Sequence, residues 1–273
     1  MNNLFSRHLF GKRLALVGIL ALVFVACGDD GSDFTTKPSS DSSSSSVSPQ
    51  SSSSSKVPEP AELVEESSSS SKYSLVPCDV ETDENCFKDA RDGQTYKTVK
   101  IGDQVWMAEN LNYEVDSSFC YNDSAEYCEK YGRLYRWAAA IGRSERECGY
   151  RNTCYSPSGL SVCPSGWHLP SMKEWGTLFN AVGGSSTAGK MLKSTSGWND
   201  GGNGTDSFGF SAFPAGRRID NGYFENEGGN AYFWSSTDYY SLEAYLTYLY
   251  YNDGAYQYGN AKYCGYSVRC LKN

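Results

Sequence analysis

The apolar and polar positions of 163–175 read as a strand end, a tight turn and the start of a helix. Ser171 is placed to cap a helix, because its hydroxyl can accept a free amide of the first turn. Glu174 stands three residues on and can reach back to complete a capping box. Trp175, Leu178, Phe179 and Val182 then recur at helical spacing, one apolar stripe, and Gly183-Gly184 ends it. Upstream, Asp92-Gly93 reads as a turn. Residues 94–101 alternate, Gly102-Asp103 turns, and 104–111 return, which predicts a hairpin with Trp106 and Met107 facing inward. Leu134, Trp137, Ala138 and Ile141 predict a short helix over about 132–140. Residues 113–131 and 143–162 read as loops. From about Phe208 the chain becomes a series of short strands, closing with one over 265–271. The pattern is α+β: two short helices and a mostly antiparallel, irregular sheet with long loops.

The first 77 residues follow another logic. Leu14 to Val25 is an uncharged apolar run behind Arg7, Lys12 and Arg13, of signal-peptide length and too short to span a bilayer comfortably. It ends Val25-Ala26-Cys27-Gly28, which resembles a bacterial lipobox. The expectation is a signal peptide over 1–26, lipidation at Cys27 and attachment to the outer membrane or cell surface through the acyl chains. Serine runs at 42–46, 51–55 and 67–71, punctuated by prolines, make 27–77 a disordered linker by composition. As a coil of about 50 residues it spans roughly 40 Å. The globular domain is then 78–273.

Charge narrows the partners. Lys and Arg number 24 against 32 Asp and Glu, and three of the cations sit in the signal. No basic excess remains to neutralise phosphates, which excludes a nucleic-acid partner, and the lipid is left as the contact with the membrane.

Nine cysteines follow Cys27, the density of an exported disulfide framework. Close spacing suggests Cys78–Cys86, Cys120–Cys128 and Cys148–Cys154, and Cys163 has a natural partner in Cys270 near the chain end. Spacing alone does not fix connectivity. In this scheme Cys264 is left over, either buried and free or pairing between molecules. A zinc site is the rival reading, disfavoured because no Cys-x-x-Cys occurs and histidine is scarce.

Few groups offer catalysis. With His8 in the signal, His168 is the one histidine of the mature chain; between Trp167 and Leu169 it reads as a hydrogen-bonded structural residue. No glycine-rich phosphate loop and no distinctive carboxylate pair stands out. Asn199, Asp200, Asn203 and Asp206 in the 199–206 loop offer oxygens for a weak Ca2+ site, although a polar turn accounts for them as well. The clearest signal is tyrosine, with 11 of 21 lying in 232–266. Leu246 and Leu249 fall on opposite strand faces, so one face would be core and the other would expose phenol rings. Trp234, Tyr239, Tyr240, Tyr256, Tyr258 and Tyr263 are the binding candidates, with Tyr239, Tyr240, Tyr256 and Tyr258 placed in turns.

The words CPSGWHLPSMKEW (163–175), WMAENLNY (106–113), GRLYRWAAA (132–140), FSAFPAGRR (210–218), FWSST (233–237) and GYSVRC (265–270) resemble the Fibrobacter succinogenes major paralogous domain over roughly 87–273. That family resembles the formylglycine-generating-enzyme branch of C-type-lectin-like folds. The resemblance implies a lectin-like fold whose N- and C-terminal strands meet. It also implies, as an alternative activity, a copper-dependent oxidoreductase using a cysteine pair, which does not map onto this chain residue by residue. The reading that emerges is a lipid-anchored surface module binding polysaccharide or an extracellular protein, not an enzyme. A structural envelope role is the further alternative.

Overall fold

The computed structural model describes residues 78–154 and 160–273. The signal-like segment, Cys27 and the serine-rich linker lie outside the described residues. Strands β1 (Cys86–Lys88), β2 (Thr95–Ile101) and β3 (Gln104–Met107) form an antiparallel meander. Ile101 stands opposite Gln104 across the Gly102-Asp103 turn, the hairpin that the alternation predicts.

The two expected loops carry structure instead. Residues 113–131 hold β4 (Ser118–Phe119) and helix α1 (Ala125–Tyr131), with Cys120 bonded to Cys128 inside the helix. The helix expected over 132–140 divides into β5 (Leu134–Tyr135) and a four-residue α2 (Trp137–Ala140). Tyr135 pairs across strands with both Ser118 and Tyr266, so sheet pairing overrides the helical spacing there. Helix α3 (Glu145–Cys148) opens on its own capping box, Ser144 with Glu147. After β6 (Trp167–His168), α4 (Met172–Ala181) is capped by Ser171 and Glu174. Gly183 and Gly184 adopt φ of 104° and 95°, where a β-carbon is strained. They stop α4 and start α5 (Ser185–Leu192) within one turn, an element the sequence reading missed. The chain therefore has five α-helices among the described residues rather than two.

The remainder is sheet: β7 (Ala215–Arg218), β8 (Phe224–Glu227), β9 (Ala231–Asp238), β10 (Glu243–Leu249), β11 (Ala255–Ala261), β12 (Tyr266–Ser267) and β13 (Leu271–Lys272). The single closing strand expected at 265–271 is two strands in two sheets. One sheet runs β1-β2-β3-β13-β6, and Leu271 lies between Trp106 and His168. The other runs β11-β10-β9-β12-β5-β4, with β7 beside β9 and β8 on β7. β7 and β12 each run parallel to β9, so this second sheet is mixed.

Both faces of β9 and β10 are packed. Tyr232, Trp234 and Leu246 join one core cluster with Trp137 and Tyr266, while Ala231, Phe233 and Leu249 join a second with Trp175 and Phe179. This corrects the expectation of one core face and one face of exposed phenols: α4 and α5 cover the side that would otherwise be open. The core also encloses cations. Arg269 is fully buried, donating to Asn110 Oδ1, to the carbonyls of Phe210 and Ser211, and facing the Phe210 ring. Burial pulls its guanidinium down to about 9. Lys193 donates to two carbonyls, and Lys262 pairs with Asp238 at 2.8 Å. Buried charge is tolerated only when satisfied in this way.

Four disulfides join described residues: the three close pairs Cys78–Cys86, Cys120–Cys128 and Cys148–Cys154, and Cys163–Cys270 to the chain end, all as expected. Cys264 is fully buried and is not a free thiol, which removes that option for it.

Candidate functional site

The tyrosines of 232–266 do not form one surface. They divide into four groups, and the fold decides the division; one is the pair Tyr250 and Tyr251 after β10, with centroids 4.1 Å apart and Tyr251 exposed. The first is a ladder. Tyr266 on β12, Tyr232 on β9, Tyr248 on β10 and Tyr256 on β11 lie ring against ring, with centroids 5.2, 6.1 and 5.0 Å apart and planes within 31° of one another. Register makes the ladder, since Tyr248 is directly opposite both Tyr232 and Tyr256. Exposure rises along it from 0% at Tyr266 to 41% at Tyr256. Burial lifts the Tyr232 phenol to about 12 and Tyr266 well above its usual value, so both stay neutral, and the Tyr232 oxygen accepts from the Asn226 amide. Tyr258 packs edge-on against Tyr248 at 5.1 Å. Asparagine amides donate to the outer phenols, Asn252 to Tyr256 at 2.9 Å and Asn260 to Tyr258 at 3.2 Å. Tyr256 and Tyr258 belong to this strand ladder rather than to a turn.

The second group caps the β9–β10 loop. Tyr239 contacts Tyr240 at 4.2 Å and Tyr245 at 4.6 Å. Tyr240 is 63% exposed and Tyr239 38%. The loop is fixed from behind: the amides of Tyr239 and Tyr240 both donate to the Glu243 carbonyl, and the Glu243 amide donates back to that of Tyr240. Gly259, beside Tyr245 in register, has no side chain, and the Tyr239 ring occupies the space a β-carbon would need. Tyr245 and Gly259 were not singled out from sequence. A glycine within an otherwise aromatic strand, one register step from a tyrosine, is the signal that marks them. Leu242, 37% exposed, completes the patch.

The third group is Tyr263, half-buried against Tyr150 at 4.7 Å. Trp234 belongs to none of these surfaces. It is fully buried, its indole donates to the Tyr135 carbonyl at 2.6 Å, and it packs edge-on against Tyr266. Its place among binding candidates is corrected: a β9 residue flanked by sheet and core has no open face.

His168 closes the other sheet. Its Nδ1 lies 2.6 Å from Asn273 Oδ1 and its Nε2 3.0 Å from Glu174 Oε1. The same carboxylate accepts from the Ser171 amide and hydroxyl through Oε2. Burial alone would raise the Glu174 carboxyl, but the bonds from Ser171 and His168 outweigh it and hold the group below its usual value. Trp167 and Trp175 are buried on either side, in separate core clusters. The residue thus ties β6, the start of α4 and the chain end together.

Two side chains of loop 199–206 accept from residues that flank it. Asn203 Oδ1 accepts from the Trp198 amide, and Asp206 accepts from the Ser211 amide and hydroxyl. Among the described residues no group of three His, Cys, Asp or Glu is placed to hold a metal. No described helix is long and apolar enough to cross a membrane. A shallow groove of about 600 Å³ lies between β2 and 209–213, with Lys97, Lys100, Asp83 and Glu109 along it.

Comparison with known proteins gives one positive result. No curated protein and no solved structure matches the chain. The family model of the Fibrobacter succinogenes major domain matches residues 99–272, a span that holds both sheets except β1 and the start of β2, and the β9–β10 patch. The chain belongs to the Fibrobacter succinogenes major domain family.

Proposed function

We propose that the protein is a lipid-anchored cell-surface binding module that recognises polysaccharide through the Tyr239–Tyr240–Tyr245 patch. One observation carries this reading: Tyr240 is 63% exposed, yet its ring rests on Tyr239, which in turn is seated on Gly259. Aromatic rings held rigid at a surface lose little freedom on binding. Their faces suit the apolar face of a sugar ring, while the phenols and the nearby Glu243 serve its hydroxyls. The patch is small. Two or three rings fall well short of the roughly 800 Å² that each partner contributes to a stable protein interface, which favours a sugar over a folded protein. The insertion of β13 between β3 and β6 brings the chain end back to the early strands, which supports a C-type-lectin-like architecture of the formylglycine-generating-enzyme branch. Cys27 and the linker then supply the anchor and the reach.

The test is retention on insoluble glucans and xylans, comparing the wild type with Tyr240→Ala. Retention that the substitution weakens supports the reading, whereas no retention on any glycan removes it.

A further inference from the structure

Two arginines share one phenylalanine ring at the β4 end of the second sheet, the end remote from β11. Phe119 on β4 stands opposite Leu134 on β5. Arg136 continues β5 with an extended backbone, its amide bonded to the Ser117 carbonyl. Two positions beyond Leu134, it therefore emerges on the Phe119 face, and its guanidinium lies 5.9 Å from that ring. Arg218, the last residue of β7, bridges to Gly265 and sets its guanidinium 4.0 Å from the same ring. Gly265 permits the approach, because a β-carbon there would lie 3.1 Å from the Arg218 Cβ. The two guanidiniums are thus no more than about 10 Å apart.

Neither arginine has the partner that its neighbours have. Arg91, Arg133 and Arg217 each meet a carboxylate, at 2.6, 2.7 and 3.1 Å. No ion pair among the described residues includes Arg136 or Arg218. The Nε of each is buried without a hydrogen-bond partner. Asp123 acts on Arg218 and Glu145 on Arg136 through space, but neither acid reaches ion-pair distance. Burial, and then the like charge of Arg136, hold the Arg218 guanidinium below its usual value. A buried donor left unpaired costs stability, and natural proteins retain such costs chiefly at functional sites.

We infer that Arg136 and Arg218 form a binding site for a doubly charged tetrahedral oxyanion, a phosphate or a sulfate, with the Phe119 ring between them. Two unpaired cations match a dianion, whereas a carboxylate neutralises one of them. Each planar guanidinium offers a fork of donors suited to such oxygens. Both residues are half-buried rather than enclosed. The chain's net charge of −8 opposes anions at long range, but at 0.1 M salt that repulsion is screened beyond about 10 Å. The site lies away from the Tyr239–Tyr240 patch and does not depend on the proposed function.

Calorimetric titration of the full chain in detergent, at about 0.1 M sodium chloride, tests it with inorganic phosphate, sulfate, methyl phosphate and acetate. Two charge-assisted contacts at a half-buried site correspond to a Kd of about 1 mM. The expected result is saturable binding of one phosphate or sulfate per chain, with acetate roughly tenfold weaker. Arg136→Gln and Arg218→Gln each weaken phosphate binding roughly tenfold, and Arg218→Lys, which keeps the charge but loses the fork, falls between. Lys100→Gln, which removes an exposed cation on β2, matches wild type. Methyl phosphate identifies the source: affinity equal to inorganic phosphate supports a site for an esterified group, and its loss supports a site for the free ion. A readout that needs no variant is the wild-type urea midpoint, which phosphate raises and chloride at matched ionic strength does not. The inference is overturned by an absence of saturable binding, by acetate binding as tightly as phosphate, or by glutamine variants that bind like wild type.

Discussion

The Tyr239 ring lies across the backbone of Gly259, in the space that any side chain at 259 would fill. Two elements are locked by this one contact, the β9–β10 loop and the edge strand β11. Gly259→Ala is therefore expected to displace Tyr239 and weaken glycan retention about as much as Tyr239→Ala does. The double variant is expected to be no worse than either single one, because both remove one interaction. A binding cycle on the four proteins measures this, and additive losses would show that the contact is incidental.

The disulfides differ in leverage. Cys163–Cys270 closes 107 residues and Cys120–Cys128 closes 8. In the chain-entropy account the first contributes about 4–5 kcal/mol and the second about 2.5 kcal/mol. Paired Cys→Ser substitutions followed by urea unfolding should give losses in that order. Equal losses would indicate that strain or residual structure outweighs loop length.

Arg269 is held at full burial by Asn110 and by the carbonyls of Phe210 and Ser211. Arg269→Met leaves those acceptors without a donor in the core, at about 1–3 kcal/mol for each stranded group. A net loss of about 3 kcal/mol or more is expected in chemical denaturation. A loss below about 1 kcal/mol would mean that the surrounding chain rearranges to satisfy them.

Acid sensitivity follows from two carboxylates. Glu174 is held below its usual 4.5 by Ser171 and His168 against the opposing effect of burial, and Asp89 is held below 3.8 by Arg91, again against burial. A depressed folded value means that the stabilisation is complete above the ordinary value and is lost as pH falls through the lower one. Urea midpoints should hold level from pH 7 down to about 5 and drop below about 4. Glu174→Gln should be less stable at pH 7, by about 1 kcal/mol for the cap, and should show a shallower acid decline. An unchanged slope would place the acid-sensitive group elsewhere.

Local patterns were legible wherever the partners are near in sequence. The capping box at Ser171–Glu174, the Ile101–Gln104 hairpin and the three short disulfides all use residues within eight positions. Legibility failed where distant strands decide. Leu134-Tyr135 reads as helix, but β12 and β4 claim it as a strand; Trp234 reads as one more aromatic near the surface, but Tyr266 and Tyr135 enclose it. The tyrosine-rich segment was visible as composition. Its division into a buried ladder and an exposed loop patch depends on the register of β9, β10 and β11, which composition does not carry.

The most direct test is glycan retention of Tyr240→Ala beside Tyr223→Ala. Tyr223 is 70% exposed but lies on the β7–β8 turn, outside the patch, and serves as the control for loss of any surface tyrosine. The account predicts that Tyr240→Ala weakens retention at least tenfold, about 1.4 kcal/mol, while Tyr223→Ala matches wild type. Equal retention by both variants, or an equal loss in both, would contradict it.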